Sequence, residues 1–122
     1  MRTSSVRAGL TALLVATGVL AGASGAQAQA QPAFAKTYLN TVVTQWTHWT
    51  PDAENSSHAG TLYAGRNYFY CWTVGQLYHA NGRSSQIWLK TDDDTGHRNV
   101  WVNDVNLDEW GYYHDQSALP HC

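Results

Sequence analysis

The first 30 residues constrain the fold most, because they predict a leader that is removed during export. Two arginines supply positive charge, and residues 8–23 form an uncharged run of Ala, Leu, Val, Gly and Thr. Two A-x-A sites follow, ending at Ala28 and at Ala30, the pattern that a signal peptidase cleaves. The run is shorter than the roughly 20 apolar residues that a transmembrane anchor needs. We therefore expect a signal peptide over residues 1–30, secretion, and a single domain over residues 31–122.

The charge of this domain limits its partners. Residues 31–122 contain five basic and nine acidic side chains, hence a formal net charge of −4. Binding to nucleic acid or to anionic lipid depends on clustered Lys and Arg that release counterions. Five scattered cations in an acidic chain do not form such a cluster. We expect no nucleic-acid partner and, once the leader is removed, no membrane partner.

Cys71 and Cys122 predict one disulfide bond. Both lie in the exported domain, and an even number of cysteines in an exported chain favours pairing. Closing a loop of about 50 residues contributes roughly 4 kcal/mol on the chain-entropy estimate, a large fraction of the stability of a small domain. The bond ties the last residue back to the middle of the domain. A reactive free thiol is the alternative.

Segments rich in β-branched and aromatic residues predict strands. Residues 38–50 are the first such segment, although a helix over residues 34–43 stays open. Residues 51–60 are polar and turn-forming, so they predict a loop.

The second strand segment, residues 61–74, alternates with a period of two, which indicates a half-buried strand. One face carries the more aromatic set, which consists of Tyr68, Tyr70, Trp72 and Val74. We expect this face to point inward. Cys71 then lies on the opposite face, where the C-terminal tail can cross and bond to it.

The clearest element is a β-hairpin formed by residues 87–91 and 98–102 around the sequence D-D-D-T-G-H. Gly96 is expected at positive φ in its turn. A loop is predicted before the hairpin, over residues 75–85, with Asn81-Gly82 as a tight turn.

The C-terminal part predicts little regular structure. Residues 103–107 indicate a short turn that ends in an apolar residue, and residues 108–122 an irregular, aromatic tail. Several short strands without a convincing long helix predict an all-β barrel.

Several motifs occur in order between residues 60 and 107. A glycine turn leads into the alternating strand G-T-L-Y-A-G-R-N-Y-F-Y, Trp88 follows in I-W-L-K-T, and a hairpin returns through Trp101-Val102. With these motifs the segment resembles a bacterial Src-homology-3-like (SH3-like) domain. The resemblance implies a small SH3-like barrel of about five short strands over residues 44–107. The tail over residues 108–122, tied back by the disulfide, is then expected to cap it.

Two patterns that suggest metal binding have simpler explanations. Asp92 and Asp94 match the first positions of a calcium loop, but Gly96 stands at the third and no glutamate follows at the required distance. A solvated hairpin turn explains them better. The six histidines, at positions 48, 58, 79, 97, 114 and 121, lack the close-set pairs that structural zinc needs. We expect no metal and no cofactor.

A secreted hydrolase such as a ribonuclease is the catalytic alternative. It needs a general acid and base, for which Glu54 or Glu109 with His48, His79 or His114 are the candidates. The two glutamates lie in a predicted loop and in the predicted tail, where nothing fixes their mutual geometry. We therefore expect a non-enzymatic protein without catalytic residues.

Aromatic side chains near the predicted loops favour ligand binding instead. Ligands of SH3-like folds lie in a groove between loops, on exposed aromatic rings. Trp49, beside the first loop, and Tyr78, inside the second, are the candidate ligand-binding residues, and packing is the alternative role for both. For the rings of the tail, which are Trp110, Tyr112 and Tyr113, packing against the barrel is favoured.

The resemblance also implies a role in cell-wall targeting, which members of the family commonly serve. We therefore expect a monomeric extracellular binding module whose ligand is cell-wall peptidoglycan or an extracellular protein or peptide. A secreted effector, such as a toxin or a protease inhibitor, is the other alternative, because small disulfide-closed scaffolds also serve these functions.

Overall fold

The computed structural model describes residues 34–122, so the predicted leader and its cleavage site lie outside the described residues. The strands are β1 (Thr37–Thr41), β2 (Gln45–His48), β3 (His58–Leu62), β4 (Gly65–Phe69), β5 (Cys71–Ala80), β6 (Arg83–Thr91) and β7 (Val100–Asn103). Two 3-10 turns cover Asn55–Ser57 and Asp104–Asn106, and helix α1 covers Glu109–Ala118. No helix in the described range is long and apolar enough to cross a membrane.

The strands form two antiparallel sheets. β1 pairs with β4 in a two-stranded ribbon, and the other five strands form one sheet in the order β3-β2-β7-β6-β5. β1 also shows that the N-terminal segment is a strand and not a helix. The prediction of a small, β-rich fold is confirmed in this coarse form. Within residues 34–122 the fold differs from the predicted all-β barrel, because the large sheet stays open between β3 and β5 and one α-helix is present.

Strand register gives the large sheet a core face and an outer face. Residues opposite each other in antiparallel strands share a face, and neighbours along a strand alternate. Leu89 of β6 lies opposite Val102 of β7, and both pack with Phe69 of the ribbon in the hydrophobic core. The adjacent pair, Trp88 and Asn103, therefore points to the outer face.

The predicted inward face of the second strand segment is wrong for Tyr68, Tyr70 and Val74, whereas Trp72 is partly buried against the core. Phe69 and Cys71 are fully buried, whereas Tyr68 and Tyr70 are half-buried. Both tyrosine hydroxyls donate to the same carboxylate oxygen of Asp92, at 2.7 and 2.6 Å. A phenolic hydroxyl needs a polar partner, so these rings lie at the surface of the core while side chains without such a group go inside.

A long hairpin replaces the loop predicted over residues 75–85. β5 and β6 pair along this segment, with a bulge between Val74 and Tyr78. The Asn81-Gly82 turn is confirmed, because both residues have positive φ, +55° and +72°, as a type I′ turn requires. Tyr78 therefore lies on a strand and not in a loop.

The tail predicted to be irregular contains helix α1. Asp108 caps its N-terminus, because its side chain accepts a backbone N–H three residues later at 2.8 Å. Of the three rings expected to cap the barrel, Tyr112 is half-buried, whereas Trp110 and Tyr113 are 57% and 70% exposed. The tail closes the core mainly through Leu119, which is buried in the core cluster.

The predicted disulfide is confirmed. Cys71 and Cys122 are bonded, with their Cα atoms 5.0 Å apart. The last residues run beside β5: Trp72 donates its backbone N–H to the Pro120 carbonyl at 3.0 Å, and Cys122 donates to the Trp72 carbonyl at 2.8 Å. The bond therefore secures a short extension of the sheet at the start of β5.

Candidate functional site

The outer face of the large sheet carries a groove of about 330 Å³. Its lining residues with rings are Trp46, His48, Tyr78 and Trp88. Those with amide side chains are Gln45, Asn81, Asn103 and Asn106. The small or aliphatic ones are Val43, Thr44, Ala53 and Ala80. No Lys, Arg, Asp or Glu occurs among these described lining residues, so the groove is polar and, with a neutral histidine, uncharged.

Trp88 forms the floor of the groove. It is only 2% exposed, and its Nε1–H donates to the Gln76 carbonyl at 2.8 Å, so the buried indole keeps a hydrogen bond. His48 lies edge-on to this ring with the centroids 6.0 Å apart, and the Tyr78 ring lies 6.1 Å away. Trp88 and His48 are buried, so the half-buried Tyr78 provides most of the ring surface that a ligand can reach in this cluster.

The loop after β2 is held against β5 and fixes one wall of the groove. Gln76 accepts the Ala53 backbone N–H through Oε1 at 2.7 Å and donates to Glu54 Oε2 at 2.6 Å. Gly75 lies so close to Pro51 that a β-carbon on it would collide with the Pro51 carbonyl oxygen. The bulge in β5 therefore needs glycine at this position, and it keeps Ala53 at the groove.

Three amide side chains form a chain of hydrogen bonds in the groove. Asn81 Nδ2 donates to the Val105 carbonyl at 3.2 Å and to Asn106 Oδ1 at 2.6 Å. Asn106 Nδ2 then donates to Gln45 Oε1 at 2.6 Å. Because a carbonyl only accepts, Val105 fixes the orientation of every amide in the chain. The chain ends at Gln45 Nε2, which is enclosed and has no partner among the described residues.

His48 is held in a defined tautomer. Ser57 Oγ lies 2.6 Å from Asp52 Oδ1 and 2.9 Å from His48 Nδ1. A carboxylate only accepts, so the hydroxyl proton points to Asp52, and His48 Nδ1 carries the proton of the second hydrogen bond. The hydrogen bonds from Ser57 and Thr50 lower the pKa of Asp52, which keeps it ionised.

The environment of His48 also favours its neutral form. Burial lowers the pKa of His48, and this effect outweighs the attraction of the Asp52 carboxylate, which raises it. The ring is therefore neutral at pH 7. With Nδ1 protonated, its Nε2 holds the lone pair.

Trp46 stands at the rim of the groove. It is 52% exposed and stacks on the His58 ring, with the centroids 3.8 Å apart and the planes 13° from parallel. The stack holds a large apolar ring in place before any ligand binds. Such preorganisation reduces the entropy lost on binding.

The structure places one of the two predicted groove residues in the groove. Tyr78 lines it, whereas Trp49 is not among its lining residues. Trp49 is 51% exposed and lies beside His97, with the ring centroids 5.5 Å apart. A role for Trp49 in binding stays a prediction, and it concerns a separate surface.

The D-D-D-T-G-H sequence, residues 92–97 and here called the aspartate loop, is exposed at residues 94–96 but is not solvated throughout. The Asp93 side chain is fully buried. It accepts from Thr47 Oγ1 at 2.6 Å and from the backbone N–H groups of Thr95 and His97, both at 2.9 Å. Burial raises the pKa of Asp93, but these hydrogen bonds outweigh burial and hold the pKa below its usual range.

The other aspartates of the loop are also held by donors. Asp92 accepts the Asn99 backbone N–H at 3.0 Å in addition to two tyrosine hydroxyls, and Asp94 accepts the Tyr63 backbone N–H at 2.8 Å. Gly96 has a φ of +96°, as predicted. Across residues 34–122 no group of three His, Cys, Asp or Glu side chains is placed to hold a metal ion. The carboxylates of the loop therefore hold neighbouring backbone segments in place through hydrogen bonds, which is a structural role.

The candidates for acid–base catalysis are spread over the surface. His48 lines the groove, and Glu54 lies in the loop beside it without lining it. His79 lies on β5, and Glu109 and His114 lie on α1. No candidate acid therefore accompanies His48 in the groove.

Most of the groove residues were not predicted as binding residues from the sequence. Trp46 and His48 are two residues apart on a predicted strand, and the period of two places such residues on one face. The period of two could therefore have indicated that Trp46 and His48 lie on one face of the strand. The amide chain joins Gln45, Asn81 and Asn106, which are far apart in sequence, so no local pattern indicates it.

Comparisons with protein-family models, with curated proteins and with solved structures give no match to this chain. The chemistry of the groove is therefore inferred from its own residues. Aromatic rings offer stacking surfaces, His48 Nε2 offers an acceptor, and the side walls offer neutral polar contacts. This combination suits a flat, uncharged and polar ligand.

Proposed function

We propose that the protein is an extracellular, non-enzymatic binding module of the SH3-like type, and that its groove binds the glycan of cell-wall peptidoglycan. The groove itself carries the proposal, because aromatic and amide side chains surround a cavity without Lys, Arg, Asp or Glu among its described lining residues. Sugar rings have apolar C–H faces that pack on aromatic rings, and polar substituents that hydrogen-bond to amides. Glycan strands of the cell wall present both features.

The strand arrangement supports the SH3-like part of the proposal. The five strands of the large sheet lie between residues 45 and 103, inside the range of the resemblance. The hairpin of β6 and β7 leads into the 3-10 turn Asp104–Asn106, where a short turn was expected. On this proposal the large sheet corresponds to an SH3-like barrel that is not closed. The β1–β4 ribbon and α1 are additional elements.

The disulfide supports the extracellular part of the proposal, because such bonds persist in oxidising compartments. Protein secreted into the culture medium should begin at Gln29 or Gln31, after cleavage at one of the two A-x-A sites. Mass spectrometry of the intact secreted chain measures this. A chain that retains residue 1 and stays inside the cell would contradict export.

Co-sedimentation with purified peptidoglycan tests the binding function. Trp46→Ala removes the rim of the groove, and Trp49→Ala is a matched control, because the two rings are 52% and 51% exposed and only Trp46 lines the groove. We expect saturable pelleting of the oxidised wild-type protein and of Trp49→Ala. Tyr78→Ala and Trp46→Ala should lose most of the pelleting, each being first shown to be folded by circular dichroism.

Other outcomes of this assay redirect the proposal in defined ways. Pelleting that is lost in Trp49→Ala and kept in Trp46→Ala would move the site to the Trp49–His97 surface. An absence of wild-type pelleting would contradict the wall ligand and favour a soluble extracellular protein or an effector role.

A further inference from the structure

One strong acceptor in the groove is not used by the protein. The proton on His48 Nδ1 is donated to Ser57, so Nε2 carries the lone pair. The Glu54 carbonyl also hydrogen-bonds to the ring, and because a carbonyl only accepts, it pairs with the same Nδ1–H. This leaves Nε2 without a partner among the described residues. Because His48 lines the groove, this acceptor is available to a ligand there. A ligand that uses it must donate an N–H or O–H.

A donor without a partner lies in the same groove. Asn81 and Asn106 hold Gln45 so that its Oε1 accepts and its Nε2 is left unpartnered. Since Nε2 is enclosed, the side chain must turn toward the groove before a ligand carbonyl can reach it. Because a buried donor without a hydrogen bond is energetically costly, this rotation of the Gln45 side chain is favoured when a ligand can accept from Nε2.

The space around these groups is suited to a small apolar substituent. Val43, Ala53 and Ala80 line the groove together with the acceptor on His48 and the donor on Gln45. An acetamido group brings an N–H, a carbonyl and a methyl group, and it can satisfy all three features at once. A hydroxyl group can satisfy only one.

We propose that the groove selects N-acetylated sugars, with the acetamido N–H donated to His48 Nε2. This inference rests on the proposed function and names the part of the wall polymer that is recognised. The peptide stems of peptidoglycan also contain amides, but they carry carboxylate and ammonium groups, for which the groove has no charged partner. The cavity of about 330 Å³ is at the small end of ligand sites, which suits one or two sugar rings.

Two neutral trisaccharides test the selection directly. Triacetylchitotriose and cellotriose have the same β-1,4-linked backbone and differ in the acetamido groups that replace hydroxyls. Isothermal titration calorimetry on the oxidised protein should give at least about tenfold tighter binding of triacetylchitotriose, because a hydroxyl of cellotriose satisfies only one of the three features that an acetamido group satisfies. Equal affinity for the two, or binding of free stem peptide alone, would overturn the inference.

Two substitutions of His48 assign the effect to Nε2. The Asn side chain can replace Nδ1–H toward Ser57 but does not reach the position of Nε2, whereas the Gln side chain places an oxygen near that position. We expect His48→Asn to lose the preference for triacetylchitotriose and His48→Gln to keep most of it. Thermal unfolding of both variants controls for folding. A preference that survives in folded His48→Asn would contradict the role of His48.

The pH dependence of binding provides a readout that needs no loss of structure. Protonation of Nε2 converts the acceptor into a donor, so acidification should weaken triacetylchitotriose binding to the wild type. Asp52 and His58 are the other charged or ionisable side chains that face His48. Both remain in His48→Gln, whose affinity should change less with pH. Equal pH profiles would contradict the inference.

The inference and the proposed function fail separately. Peptidoglycan pelleting that depends on Trp46, together with equal affinity for the two trisaccharides, would keep the groove as the wall-binding site and reject acetamido selection. Loss of pelleting in all proteins, together with absent trisaccharide binding, would reject both.

Discussion

The aspartate loop and the groove are both rich in polar side chains, but they use them in opposite ways. In the loop, Asp93 is fully buried and accepts hydrogen bonds from a side chain and from two backbone N–H groups. In the groove, the amide chain ends at an unpartnered Gln45 Nε2, and the inferred tautomer of His48 leaves Nε2 without a partner among the described residues. The Asp93 carboxylate finds its hydrogen-bond partners within the protein, whereas polar atoms in the groove are left for a ligand.

This difference shows that a conspicuous motif is not by itself a functional site. Three consecutive aspartates suggest cation binding, yet each accepts backbone or hydroxyl donors and secures the loop to its neighbours. The residues of the groove are unremarkable along the sequence. Buried polar atoms without a partner also occur on Asp104 and Asp115, outside the groove. What distinguishes the groove is that its unpartnered atom, Gln45 Nε2, lies beside a cavity that a ligand can enter, and such an atom is costly to bury unless something binds it.

The disulfide lies outside both regions, and its removal should have the largest effect on the free energy of unfolding. Replacing Cys71 and Cys122 together by Ser should lower the free energy of unfolding by about 4 kcal/mol, because the unfolded chain loses a constraint over 51 residues. Thermal unfolding should show a midpoint lower by at least about 15 °C. An unchanged midpoint would show that the bond contributes little.

Asp93→Ala breaks the aspartate loop. We expect a loss of about 3 kcal/mol in denaturant unfolding, because several buried donors lose their acceptor. Asp94→Ala is the matched control in the same loop, since its side chain accepts one backbone N–H at an exposed position, and it should cost less than about 1 kcal/mol. Losses of similar size in the two variants would contradict a loop held mainly by Asp93.

A third polar cluster, the buried carboxyl pair Asp104 and Asp115, gives the protein a pH-dependent stability. Burial and the neighbouring Asp104 raise the pKa of Asp115 to about 8 in the folded state, against an ordinary value of 3.8. Burial also raises the pKa of Asp104. The unfolded chain therefore releases these protons first as the pH rises, so this contribution is intact below about pH 4 and is lost progressively toward about pH 8.

Asp115→Asn should remove much of that slope. At pH 8 we expect the variant to be more stable than the wild type by at least about 1 kcal/mol, because a neutral amide avoids the ionisation of a buried group. Denaturant unfolding from pH 4 to pH 8 measures the slope, and Asp94→Asn serves as an exposed control. A wild-type stability that rises with pH over this range would contradict the assignment.

Among these substitutions, Trp46→Ala should have the smallest effect on stability. Trp46→Ala removes a ring that is 52% exposed, so denaturant unfolding should change by less than about 1 kcal/mol. The same substitution should abolish most peptidoglycan binding. A loss above about 2 kcal/mol would show that Trp46 is structural, and the groove would then resemble the aspartate loop.

Local signals in the sequence predicted the features that depend on local chemistry. The disulfide, the Asn81-Gly82 turn and positive φ at Gly96 follow from residue types with few alternatives. The orientation of Tyr68 and Tyr70 did not, because alternation fixes which residues share a face and not which face is inside. The acceptor that decides it, Asp92, lies more than twenty residues away in sequence.

Helix α1 was missed because its sequence contains Gly and several aromatic residues of low helix propensity. Its formation depends on the Asp108 cap and on burial of Leu119 in the core. Tyr78, which was a candidate from the sequence, lines the groove, and its role in binding stays a prediction. The rest of the groove required long-range pairing, which brings Asn81 and Asn106 to Gln45.

Nuclear magnetic resonance titration tests the contrast between the two regions most directly. Side-chain amide signals of Gln45, Asn81 and Asn106 report on the groove, and backbone signals of residues 92–97 report on the aspartate loop. Adding triacetylchitotriose should shift the groove signals and the Trp88 indole N–H, and leave the loop signals in place. Shifts confined to residues 92–97 and Trp49 would contradict the account and place the ligand on the loop side of the molecule.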